Sequence, residues 1–152
     1  MLIMFLFMWN LTELISIYRL FKKKQLLFDD RFTETMCMAI TLISSFVLAL
    51  YIELLLPADQ KILYLLPIFV GLFIGWRFGT IIKAPAALSS IYNGTMGGIM
   101  GMMLGAVLQN PALCNIPIES ETMIATNMYS LSIFIACLHA LISYFIRYSL
   151  KA

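Results

Sequence analysis

The chain has a single histidine, His139, and it falls in the middle of an apolar stretch. Glu13 does the same near the N-terminus. Ionisable groups inside an apolar span are expensive, and they mark a site for a proton or an ion with a polar partner close by. Counted from the ends of their stretches at helical rise, His139 and Glu13 lie at nearly the same depth, roughly 18–19 Å. The same count brings Asn10, Asn93, Ser44 and Ser45 near that level. These six side chains from four stretches form one expected polar layer. A Glu13–His139 pair is expected at its centre, able to carry a proton or hold a cation. A purely structural hydrogen bond between helices, and no contact at all, stay open as alternatives. Glu53 and Arg77 sit near the ends of their stretches, where long side chains reach the interface without a special role.

A second candidate is the methionine series Met96, Met100 and Met103 in SSIYNGTMGGIMGMMLGAVLQN. Steps of three and four residues put the thioethers on one helix face. Thioether sulfur is a soft ligand suited to Cu(I), so Met96 and Met100 with His139 form a candidate set for a soft metal ion. Packing beside glycine is the other use of such methionines. The GGIMGMMLG segment resembles glycine- and methionine-containing helices of bacterial membrane proteins associated with metal handling, a resemblance confined to this one helix. Cys37, Cys114 and Cys137 are odd in number, form no CxxC pair and fall at different expected depths, so free thiols are expected. No HExxH, GxSxG or P-loop pattern is present, and no enzyme is expected.

All eight glycines lie between 71 and 105. Gly71, Gly75 and Gly79 run down one stretch. Gly94, Gly97, Gly98, Gly101 and Gly105 occupy a sector of the next, within about 100° on a helical wheel. Glycine costs roughly 1 kcal/mol against alanine inside a helix in water, so this concentration needs a reason. Small residues every fourth position let two helix backbones approach closely. A glycine zipper is expected, with these two antiparallel neighbours packed face to face. A homo-oligomer contact or a gating helix is the alternative use.

The elements that carry these residues follow from composition. Of 152 residues, 62% are hydrophobic and 12% charged, and the mean hydropathy is +0.93. Soluble domains hold roughly 45–50% and 25%, and a fold this small cannot hide so much apolar surface. A soluble domain, a disordered chain and a disulfide-stapled module are therefore excluded. The expected fold is an all-α membrane protein: one compact bundle of five transmembrane helices, with spans at about 2–21, 35–56, 62–82, 84–108 and 127–148. The whole chain, 1–152, reads as a single domain.

The net charge is only +2, and the basic residues cluster beside apolar runs rather than on a nucleic-acid face. With the N-terminus outside and the C-terminus cytoplasmic, nine of the ten basic residues fall inside and only Lys61 outside. That is the asymmetry that orients membrane helices. The expected location is the plasma (cytoplasmic) membrane, with the lipid bilayer as the first partner and a homo-oligomer or a larger membrane complex as the second. The expected function is binding or translocation of a small solute or cation, such as a proton or soft metal ion, at the polar layer. The alternative is a non-catalytic accessory or assembly subunit of a larger membrane complex.

Overall fold

A computed structural model describes residues 1–24, 30–56, 65–81, 84–114 and 121–150. The described elements are five α-helices, α1 (Leu2–Lys24), α2 (Asp30–Leu55), α3 (Leu66–Gly79), α4 (Ala84–Gln109) and α5 (Glu121–Ser149), with a 3-10 turn at Pro111–Cys114 between the last two. Four of them are long and apolar enough to cross a membrane, as in an integral membrane protein. α3 has 14 residues, about 21 Å of helix, against roughly 30 Å of hydrocarbon.

Prolines set several boundaries. α3 has Pro67 in its first turn, where the missing N–H costs nothing. α4 likewise carries Pro85 near its start, and Pro111 opens the turn that follows Asn110. The expected third span began at Ile62; its residues 62–64 and 82 lie outside the described part, and the described helix starts at Leu66. The fifth span was expected from Asn127, yet α5 already starts at Glu121. Its first turns, ETMIAT, are helical and, from Thr122, continuous with the apolar span.

α2 is the central helix. In its apolar window 61% of residues are buried, against 17% for α1. Ile40, Val47, Ala49, Leu50 and Tyr51 are fully enclosed. α4 lies parallel to α2, and α3 runs antiparallel to α4. The pairing is read from the glycines. A Cβ at Gly71 would lie 2.5 Å from the Gly94 carbonyl oxygen, one at Gly75 2.9 Å from Ile91 Cα, and one at Gly79 2.8 Å from Ala87 Cα. Backbone therefore touches backbone along the whole α3–α4 seam.

The five glycines of α4 do not all face α3, as the wheel had suggested. Gly94 and Gly98 do, whereas Gly97, Gly101 and Gly105 press on Ser45, Ala49 and Glu53 of α2. The sector is wide enough to serve two neighbours. α2, α3 and α4 thus form a tight unit held by dispersion contacts, the main source of helix association where lipid removes the hydrophobic drive.

α1 and α5 pack parallel to each other and against α2. Their buried stripe includes Leu14, Ile17 and Phe21 of α1 and Ile135 and Ile146 of α5, with Leu150 just after its end. Tyr18 and Phe21 meet Phe78 of α3 edge-on, at centroid distances of 5.4 and 6.0 Å.

Candidate functional site

Three helices converge on His139. Its side chain is 1% exposed, and Asn10 and Ser44 are 0% exposed. His139 Nδ1 lies 2.7 Å from Asn10 Oδ1, and Nε2 lies 3.0 Å from Ser44 Oγ. The proton positions follow from the neighbours. Asn10 Nδ2 donates to the Leu6 carbonyl oxygen at 2.7 Å, which leaves the amide oxygen facing the ring. An amide oxygen only accepts, so Nδ1 carries hydrogen and donates to it. In the neutral ring Nε2 is then an acceptor, and the Ser44 hydroxyl donates to it.

Ser44 differs from the other hydroxyls on this part of α2. Thr41 donates to the Cys37 carbonyl at 2.7 Å and Ser45 to the Thr41 carbonyl at 2.6 Å, the usual back-bond of such residues within a helix. Ser44 instead leaves its own helix for His139.

Glu13 is not the partner of His139. Its Oε2 accepts from Arg147 Nη2 at 2.5 Å, in an ion pair whose side chains are 22% and 38% exposed. The depth estimate had counted α5 from Asn127, and depth alone fixes no azimuth. Asn10, one turn from Glu13, takes the imidazole. Arg147 lies two turns beyond His139 on the same face of α5 and reaches back to the carboxylate. A bond between two ionised groups is also stronger than one to a neutral ring.

Two further residues of the expected layer stay within their own helices. Asn93 Nδ2 donates to the Ser89 carbonyl at 2.9 Å on α4. Ser45 is buried under Gly97. The methionines face away: Met96, Met100 and Met103 are exposed on the outer side of α4, while both ring nitrogens of the buried His139 are engaged with Asn10 and Ser44. The expected Met96–Met100–His139 ligand set is therefore not assembled. Among the described residues no group of three His, Cys, Asp or Glu side chains is placed to hold a metal ion.

The polar groups continue along α5. Tyr51 donates to the Ser132 carbonyl at 2.9 Å. Ser143, one turn from His139 and one turn from Arg147, is 1% exposed and its hydroxyl has no hydrogen-bond partner. Ser132, His139, Ser143 and Arg147 so share the face of α5 turned toward α1 and α2.

Glu53 also departs from expectation. It is 2% exposed rather than reaching the interface, and its Oε2 has no hydrogen-bond partner. Gln109 Nε2 donates to its backbone carbonyl at 2.6 Å, and Gly105 leaves room for its Cβ and Cγ. The four-residue register of Ser45, Ala49 and Glu53 against Gly97, Gly101 and Gly105 is the sequence signal that would have found it.

Compared with models of known families, with curated proteins and with solved structures, the chain matches none of them. The functional reading rests on the site itself.

Proposed function

We propose that the chain handles a small solute or cation at the layer formed by Asn10, Ser44 and His139, and that the ion bound there is a proton. The observation that carries this reading is the one histidine, enclosed among three helices with a donor on one nitrogen and a rotatable hydroxyl on the other. Asn10 holds the Nδ1 proton, so a further proton enters at Nε2. Ser44 then turns its hydroxyl hydrogen away, toward a carbonyl one turn earlier in α2 as its neighbours already do, and its oxygen accepts from Nε2. Uptake and release need only a hydroxyl rotation. Ser143 and the Glu13–Arg147 pair continue the polar line in one direction, and Tyr51 with Ser132 in the other.

Ser44, His139 and Asn10 also have the connectivity of a hydrolase triad. Full burial of the serine oxygen favours the proton-binding reading, because a nucleophile has to meet its substrate. By charge asymmetry the N-terminus lies outside and the C-terminus in the cytoplasm, with the plasma membrane as location. The alternative of an assembly subunit draws on the exposed face of α4, with Leu88, Tyr92, Met100 and Met103; a homo-oligomer is its simplest form.

The test is proton flux in proteoliposomes carrying an internal pH dye and an imposed potential. His139→Ala is expected to abolish flux while the protein still inserts and stays monodisperse. Flux equal to wild type in that variant, or no flux from wild type above empty vesicles, would refute the reading.

A further inference from the structure

We infer that the groove between α1 and α3 binds an anionic phospholipid, with an acyl chain in the groove and the phosphate on Arg77. The groove has a volume of about 250 Å³ and is lined by Leu11, Leu14, Leu48, Phe73, Ile74 and Arg77, among others. Leu48 of α2 and Ile74 of α3 are 3% and 5% exposed and form its floor. Phe73 is an exposed wall. The edge contact of Tyr18 with Phe78 bridges α1 and α3 at one end.

Arg77 makes this more than a gap between helices. It lies in the last turn of α3, and its guanidinium carbon is 5.5 Å from the centroid of the Tyr18 ring. Arg147 has Glu13. Arg77 has no carboxylate partner among the described residues. A guanidinium stacked on an aromatic ring is pre-oriented, and its planar fork suits two phosphate oxygens. The same end of the bundle carries Arg19, Lys22 and Lys23 of α1, so the field there favours an anion. An apolar trough that ends at an unpaired cation matches a molecule with a hydrocarbon tail and an anionic head. A free anion would leave the trough empty, and a zwitterionic lipid such as phosphatidylcholine would bring its own cation next to the guanidinium and the neighbouring basic residues.

A second cleft adjoins the first across Ile15 and is lined by Thr12, Ser16, Arg19 and Lys23. Arg19 is therefore the natural control, a cation at the same end of the bundle and outside the groove.

The full chain, purified in mild detergent, is mixed with phosphatidylglycerol or with phosphatidylcholine of the same acyl chains, and retained lipid is counted by native mass spectrometry. The expected result is selective retention of phosphatidylglycerol. Arg77→Gln lowers it about tenfold, the loss of one charge-assisted contact, and Arg19→Gln, which removes only part of the surrounding field, lowers it by much less. Phe73→Ala, which removes a wall and no charge, also lowers it. If Arg77→Gln does not fold, Arg77→Lys keeps the charge, removes the fork and is expected to lower retention measurably. Equal retention of the two lipids would overturn the proposal, as would equal losses from the Arg77 and Arg19 variants. A two-chain mass that Phe73→Ala converts to one chain would assign the groove to a second copy and overturn it as well.

Discussion

His139 has one nitrogen tied to a fixed acceptor and the other to a hydroxyl that can reverse its sense. The proposed proton binding uses that asymmetry. It also generates a test against the competing chemistry. Ser44 is fully enclosed, so a fluorophosphonate probe is expected to leave the protein unlabelled. Labelling that disappears in Ser44→Ala would identify a nucleophile and contradict the present reading. Much of this site was visible in the sequence, because depth can be counted along a helix, and Asn10, Ser44 and His139 do share a level. What depth cannot supply is azimuth. Level and the cost of an unpaired ionisable group in hydrocarbon point Glu13 at His139, and it instead pairs with Arg147, whose long side chain climbs from a lower turn. Glu53 was misjudged for a related reason: its position near the end of α2 suggested an interface, whereas packing against Gly105 buries it.

Among the elements, α2, α3 and α4 are joined by backbone contact, while α1 and α5 are tied on through side chains. The tight unit has an unequal tolerance that can be measured. A Cβ at Gly94 would fall 2.5 Å from the Gly71 carbonyl oxygen, and one at Gly98 no closer than 3.2 Å to any neighbour. Gly94→Ala is therefore expected to destabilise the protein by about 1–3 kcal/mol, the cost of overpacking a backbone contact, and Gly98→Ala by clearly less. Met103→Leu on the exposed face of α4 is expected to stay within about 0.5 kcal/mol of wild type. Reversible unfolding in mixed micelles would rank the three, and equal losses from Gly94→Ala and Gly98→Ala would argue against the α3–α4 register. Hydropathy located the helices well because a membrane span has a strong compositional signal. The helix α5 begins at Glu121, ahead of the expected Asn127, because ETMIAT is less apolar than the run that follows it yet continues the same helix. Residues 62–64 and 82 of the expected third span lie outside the described residues, and its described part is helical over Leu66–Gly79.

For the whole molecule, four apolar helices fit an integral membrane protein, and the proposed orientation is open to a direct check. Cys114 is exposed in the turn after α4, whereas Cys37 is buried within α2. An impermeant thiol reagent added to intact cells is expected to label Cys114 and to spare Cys37. Labelling of Cys114 only after permeabilisation would invert the threading. Cys37 itself reports on packing rather than on side, because it is enclosed in either orientation.

The central claim, that His139 binds and releases a proton between Asn10 and Ser44, meets its most direct test in nitrogen NMR. The chain has one histidine, so histidine labelled with nitrogen-15 yields signals from this ring alone. In lipid bilayers at neutral pH, solid-state spectra are expected to show a protonated Nδ1 and an unprotonated Nε2. As the pH is lowered, both nitrogens are expected to become protonated, reversibly and with the fold intact. A ring protonated only at Nε2, or one that keeps a single protonation state over the whole pH range in which the protein stays folded, would contradict the account.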